Sequence, residues 1–279
     1  MPVELGVSLP TAGRAPSTAE VARAAAAADE LGFDSVWASD HVVVGPDGTD
    51  DYSQVLDPFS VLAWVAARHE RLALGTSVVV LPIHHPIEVA QRAATLQHLS
   101  GGHFRLGVGV GWHEPEFELL GYEFHDRGER ADEELDLIQA LWAGQGDFDG
   151  KRWRLRGARS GPRPDPPPEI WVGGNGAAAR RRARERGAVW HPIAPTPEDI
   201  RAAVEGWPEA RVVPRVRVRF GRHEGHGLQG SPNQVVDQAR ALLDAGCAGL
   251  VLTFVPAPDG DRVADMDRFA REVAPALRS

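Results

Sequence analysis

Short apolar runs, several of them rich in valine, alternate with longer segments of helical period along nearly the whole chain. That alternation restricts the fold more than any other feature. Strands separated by helices lie parallel to their neighbours, because a parallel pair needs a crossover that a tight turn cannot provide. Strands are expected at 4–10, 35–41, 72–81, 104–111, 169–172, 188–193, 212–221 and 249–255. The third is apolar almost throughout, the pattern of a strand buried on both faces.

Helix start and stop signals fall between them. Ser17-x-x-Glu20 reads as a capping box for a helix ending at Gly32. Asp57-Pro58, His85-Pro86, Thr196-Pro197 and Ser231-Pro232 each place proline at a first helical position, where its missing N–H costs nothing. Gly101-Gly102 closes the His85-Pro86 helix, and further helices are expected at 128–142, 177–186 and 266–277. Eight strand-then-helix units in 279 residues suit a closed barrel. An open doubly wound sheet shares the alternation. A dinucleotide-binding version of it would want Gly-x-Gly-x-x-Gly after the first strand, and Pro10-Thr11-Ala12-Gly13 does not supply that. The expectation is α/β: a single (β/α)8 TIM barrel domain over 1–279, with a small hairpin insertion at 148–168 after the fourth helix, turning at Asp149-Gly150.

Composition narrows the function. A net charge of −9 argues against nucleic-acid partners, whose phosphates call for a basic surface. One cysteine, Cys247, excludes an internal disulfide and a cysteine metal cluster, and with only Gly246 and Ala248 beside it a buried small residue is expected rather than a nucleophile. The opening residues lack a basic region leading into an apolar one, and the longest apolar stretch, 72–83, falls short of the ~20 residues that span a bilayer. A cytoplasmic protein with no membrane partner is expected. All basic residues but Lys151 are arginines, which suits anionic ligands but follows equally from a GC-rich genome.

In a parallel barrel the chemistry sits at the C-terminal ends of the strands. The second strand ends Ser39-Asp40-His41, an acid beside an imidazole that could orient a ligand or move a proton; a cap or loop salt bridge is the plainer role. Strand alternation turns such neighbours opposite ways, so one of the two faces the barrel mouth. Thr76 and Ser77 place hydroxyls in an apolar run, where bonding back to the main chain is the common outcome. Gly107, Gly109 and Gly111 clear one face of the fourth strand for a flat ring or another backbone, and Trp112 adds an aromatic wall. Tight packing of barrel layers explains the glycines equally well, but not the tryptophan. Gly173-Gly174-Asn175-Gly176 opens a helix, where main-chain N–H groups form an anion site. Most of the arginines that follow, from Arg180 to Arg186, read as a solvated face. No metal site is expected: His84-His85 and His223-x-x-His226 lack supporting carboxylates, Asp47, Asp50 and Asp51 lack the rest of a calcium loop, and no Gly-x-Ser-x-Gly elbow is present.

With these strand ends in order, the chain resembles the luciferase-like monooxygenase superfamily, and within it the F420-dependent oxidoreductases of actinobacterial type. The resemblance runs through Leu31-Gly32-Phe33-Asp34-Ser35-Val36-Trp37 to Ser39-Asp40-His41, then Leu74-Gly75-Thr76-Ser77-Val78, the His85-Pro86 helix and Gly107 to Trp112. Glu116-Phe117, Gly121, Arg127, Glu133 and Trp171-Val172-Gly173-Gly174 follow in the family's order. It implies a barrel holding F420 or, alternatively, FMN at its mouth. A non-proline cis peptide at Ser77-Val78 would form a bulge behind the ring, with Thr76, Gly109, Gly111 and Trp112 about it. Gly173, Gly174, Asn175 and Gly176 would take the phosphate. Asp40 and His41 would lie near the ring and reacting carbon, with His41 handling the proton. A small-molecule substrate and a homodimer are implied, and a partner flavin reductase if FMN is used. The chain departs from the sugar-phosphate dehydrogenase branch, which has a glutamate acid where Trp112 stands, so that substrate is not expected. The short 148–168 region also implies a smaller substrate lid. Two other readings are a non-catalytic flavin-binding barrel and a cofactor-free barrel isomerase.

Overall fold

The computed structural model describes residues 3–44, 50–221 and 226–278. The fold is α/β with parallel strands, and the chain forms two compact units: Met1–Pro10, Ser17–Trp37 and Trp171–Ser279 in the first, Thr11–Pro16 and Ala38–Ile170 in the second.

In the first unit the strand Glu4–Ser8 is paired on both edges. One edge takes Gly249–Phe254, in register from Glu4↔Gly249 to Val7↔Leu252, and the other takes Ser35–Ala38, from Gly6↔Ser35 to Ser8↔Trp37. Arg215–Phe220 lies parallel on the far side of Gly249–Phe254, and Glu169–Gly173 pairs with Val189–His191. Leu228–Gly230 adds a short parallel strand that the sequence reading did not anticipate. Trp37, Trp171, Val189, Val213 and Val251, all within 2% of full burial, form a shared core. The Trp37 and Trp171 rings lie 4.4 Å apart, and His191 stacks on Trp37 at 5.4 Å.

The helices of this unit show which start signals operate. Thr196 and Ser231 each form a complete capping box, with Asp199 and Gln234 returning the bond. Ser17 precedes the helix Thr18–Glu30 but makes no side-chain cap bond. The Ser17-x-x-Glu20 box is therefore not formed: Glu20 instead bonds Arg23, which also holds Asp261. The final helix begins at Arg262, capped by Asp261, four positions before the sequence pattern placed it, and breaks at Val273 before Ala274–Arg278.

In the second unit the apolar run at 72–81 is not one strand. Ala73–Thr76 pairs with Phe104–Gly109, the chain turns at Ser77–Val78, and Val79–Val80 rejoins Phe104–Gly109 further along. A 3-10 turn, Leu81–Ile83, then leads to the helix Pro86–Leu99. The helix Glu114–Leu120 was also not anticipated, although Pro115 in its first turn and Gly121 in the left-handed conformation at its end are ordinary helix punctuation. The hairpin at Phe148–Asp149 and Arg154–Leu155 is antiparallel as expected. Its turn runs from Gly150 to Trp153 rather than centring on Asp149-Gly150, because Glu133 accepts the N–H groups of Arg152 and Trp153. Among the described residues, no helix is long and apolar enough to cross a membrane.

Candidate active site

Eight of the residues singled out from sequence lie in the second unit: Asp40, His41, Thr76, Ser77, Val78, Gly109, Gly111 and Trp112. Asp40 and His41 follow the strand Ser35–Ala38 and are both buried, at 4% and 8% exposure. They turn opposite ways. His41 Nδ1 lies 2.7 Å from Glu116 Oε2, while Asp40 Oδ2 accepts from Val80 N at 2.9 Å and pairs with His84 Nε2 at 2.7 Å.

Glu116 sits in the first turn of the helix Glu114–Leu120 and is fully buried. Its other oxygen, Oε1, accepts the main-chain N–H groups of Val42 at 2.7 Å and Val43 at 3.3 Å. Burial pushes this carboxyl up, but the His41 bond and charge and the two N–H donors outweigh it and hold the pKa below the ordinary carboxylate range. An ionised carboxylate only accepts, so His41 donates from Nδ1 and keeps Nε2 for other chemistry. Around His84, burial pulls the imidazole down, and the hydrogen bond and charge of Asp40 more than offset this, so its pKa is raised. Asp40 thus ties down the second strand segment at Val80, and the Glu116–His41 pair fixes a ring.

The Ser77–Val78 peptide bond is cis, as the family resemblance implies. Ser77 N bonds the Ala38 carbonyl at 2.8 Å, and Thr76 Oγ1 bonds the Gly107 carbonyl at 2.8 Å, so the Thr76 hydroxyl takes the plainer of its two expected roles. The alternating glycines face this same segment. A Cβ on Gly107 would lie 1.8 Å from the Thr76 carbonyl oxygen, one on Gly109 2.6 Å from Val78, and one on Gly111 2.7 Å from Val80. The space that the glycines clear is filled by the protein's own chain, not left for a flat ring on that side.

Trp112 is 51% exposed. Its ring meets His41 edge-on at 5.8 Å, and Tyr52 lies 4.6 Å from His41 and 6.4 Å from Trp112. Three residues here were not singled out as site residues. Glu116 carried a signal only as part of the family's motif order, His84 was read as a stray loop histidine, and Tyr52 stood in a stretch without periodicity.

Gly173, Gly174, Asn175 and Gly176 lie in the first unit. Gly174 has φ +111°, a conformation that favours glycine, and Gly176 caps the helix Ala177–Glu185 without any side-chain cap bond. Asn175 is exposed, but its amide is engaged with Ile193: it donates to the Ile193 carbonyl and accepts from the Ile193 N–H, both at 2.8 Å. What the loop presents is main-chain N–H. Of the arginines on that helix, Arg181 pairs with Glu185 and Arg182 is buried, so the expected solvated face is incomplete.

Burial pushes the Cys247 thiol up to about 12 and pulls His191 down to about 4, which leaves both neutral. His85 packs edge-on against Trp153. Among the described residues, no group of three His, Cys, Asp or Glu could hold a metal ion. Asp47 and His223 lie outside the described residues.

A sequence model of the luciferase-like monooxygenase family matches residues 2–223. The chain belongs to that family. It is 38% identical over 168 residues to an F420-dependent glucose-6-phosphate dehydrogenase of Nakamurella multipartita, covering 59% of this chain and 49% of that protein. It is 30% identical over 149 residues to the oxygenase component of a flavin-dependent trigonelline monooxygenase of Acinetobacter baylyi, covering 52% of this chain and 40% of that protein. The chain thus spans about half the length of these curated relatives. Among solved structures, an F420-dependent secondary alcohol dehydrogenase in complex with an F420-acetone adduct has a TM-score of 0.84 at 16% identity, covering 100% of both chains. Both F420-dependent and flavin-dependent proteins are therefore among its relatives.

Proposed function

We propose that the protein is an F420-dependent oxidoreductase, a single closed (β/α)8 barrel that moves a hydride between the deazaflavin C5 and a small organic substrate. The observation that carries this reading is the buried His41–Glu116 pair. Hydride exchange at an alcohol or carbonyl carbon leaves one proton to be placed at the oxygen, and an imidazole backed by a held carboxylate is a group for that task. F420, when bound, would supply the two-electron hydride chemistry, while the chain supplies orientation and proton handling.

The residues present suit such a group. The main-chain N–H groups at Gly174, Gly176 and the uncapped start of Ala177–Glu185 form a neutral donor set of the kind that takes phosphate. Asp40, Thr76, Ser77 and Val78 are assigned to shaping the chain beside the ring, through the Asp40 bonds to Val80 and His84 and the Thr76 bond to Gly107. Gly109 and Gly111 admit that segment. His41 is assigned the catalytic part: Nε2 takes the hydroxyl proton of an alcohol being oxidised, or returns it to the oxygen of a carbonyl being reduced. Glu116 is a positioning residue that keeps the Nδ1 proton in place and stabilises the imidazolium that forms.

The likeness to a flavin-dependent oxygenase component supports a second reading, an FMN-dependent monooxygenase fed by a separate flavin reductase. The F420 reading is preferred because the F420-dependent relative aligns at higher identity over a longer stretch. A homodimer and a cytoplasmic setting complete the proposal. Its test is anaerobic: alcohols offered to protein and oxidised F420 should bleach the cofactor absorbance, and His41→Ala should abolish the bleaching. Bleaching that survives in His41→Ala removes the proton role, and oxygen consumption with reduced FMN in place of bleaching favours the monooxygenase.

A further inference from the structure

Tyr52 and Trp112 pack their rings on the His41 imidazole, and Val42 and Val43, the next two residues of the chain, donate their main-chain N–H groups to the Glu116 that holds it. Trp112 is 51% exposed, Val42 53% and Val43 36%, all large apolar side chains facing outward beside a ring that is itself buried. Tyr52 and Trp112 both contact that ring, and each other, at 4.6 to 6.4 Å. An isolated exposed valine or tryptophan means little, but two aromatic rings on a held histidine, with exposed valines following it in the chain, match the usual form of a small-molecule site: apolar walls and few polar groups.

The charges nearby point the same way. Glu116, buried and held ionised, lies against His41 Nδ1. Arg127 reaches back to Gly111, where Nε donates to the Gly111 carbonyl and Nη1 to the Phe124 carbonyl, with the guanidinium 3.7 Å over the Phe124 ring. The negative field beside His41 disfavours a phosphate or carboxylate, and a polyol would leave hydroxyls against walls without partners.

Resting on the F420 reading, we propose that this aromatic and valine rim is the substrate-recognition surface, that Trp112 contacts substrate rather than cofactor, and that the substrate is an uncharged, largely apolar ring compound with one carbonyl or hydroxyl group. The ring lies against the Trp112 and Tyr52 faces, and its oxygen reaches His41 Nε2.

The probes are acetophenone, as an uncharged ring ketone, and glucose 6-phosphate, compared by saturation-transfer difference NMR on the full chain. F420 and FMN affinities are measured separately by fluorescence. Wild-type protein should bind acetophenone and not glucose 6-phosphate. Trp112→Ala should weaken acetophenone about fivefold or more, while Trp112→Phe stays within about twofold and cofactor affinity moves by less than about twofold in both. Half of Trp112 is already in solvent, and an unchanged thermal transition serves as the folding control. The proposal is overturned by absence of acetophenone binding, by tighter binding of glucose 6-phosphate, by a Trp112→Ala variant that binds acetophenone normally, or by equal losses of ketone and cofactor. Trp112-dependent ketone binding in a protein that takes up neither F420 nor FMN would keep the rim and defeat the cofactor reading.

Discussion

Glu116 and His41 stand 75 positions apart in sequence and 2.7 Å apart in the fold. Replacing Glu116 by Gln keeps the shape but removes the charge, and an amide can offer His41 Nδ1 a carbonyl oxygen only by turning its NH2 away. Hydride-transfer kcat is expected to fall roughly 10- to 100-fold, the usual weight of a positioned proton group being about 10²–10⁴. Unchanged kcat in stopped-flow traces would show Glu116 to be merely structural. A second residue gives a stability test. Glu134, 1% exposed, has its pKa pushed up to about 8 by burial, and its Oε2 has no hydrogen-bond partner. The folded state therefore holds a proton that the unfolded chain releases above the ordinary value of 4.5. Stability from this group is fully present below that value and lost as pH rises towards 8, by up to about 5 kcal/mol. Glu134→Gln should flatten the fall in melting temperature between pH 5 and 9. A fall as steep as in wild type contradicts the assignment. Beyond the place of Glu116 in the family's motif order, neither role was legible beforehand, since a carboxylate's partner across 75 positions and the dryness of a helix face both depend on packing.

At the scale of elements, the split strand at Ser77–Val78 and the glycines of Phe104–Gly109 are one device. Gly107 has the Thr76 carbonyl oxygen where a Cβ would go, and backbone cannot step aside as a side chain can. Gly107→Ala is expected to destabilise by about 3 kcal/mol or more, read from denaturant midpoints, and to dislodge the segment that Asp40 holds through Val80. A loss below about 1 kcal/mol would mean the two strands part easily. Helix starts offer a milder comparison. Thr196→Ala, which opens a formed capping box, should cost about 1 kcal/mol, whereas Ser17→Ala should cost almost nothing, because that box does not form. Equal losses in the two would contradict the assignment. The Ser17 case shows the reach of local pattern. The residue types were right, but Arg23, drawn also to Asp261 238 positions on, took Glu20 away. The run at 72–81 was legible as buried strand from its valines, whereas its break at Ser77–Val78 was legible only through the family resemblance, since apolarity alone carries no signal for a turn.

For the whole molecule, α/β architecture with parallel strands was readable because it rests on alternation of period, a property that survives errors of a few residues at each boundary. The family was readable because motifs that are weak singly recur in a fixed order. Cofactor choice is less accessible, since F420 and FMN share a flat tricycle and a phosphate, and a phosphate-binding loop such as the one proposed at Gly173 to Gly176 would serve either. The central claim is therefore tested most directly by anaerobic equilibrium binding of F420 and of FMN to the full chain, each oxidised and reduced, followed by absorbance and fluorescence. F420 is expected to bind at least about tenfold tighter than FMN, a difference of about 1.4 kcal/mol. Tighter binding of FMN, or of neither, would contradict it.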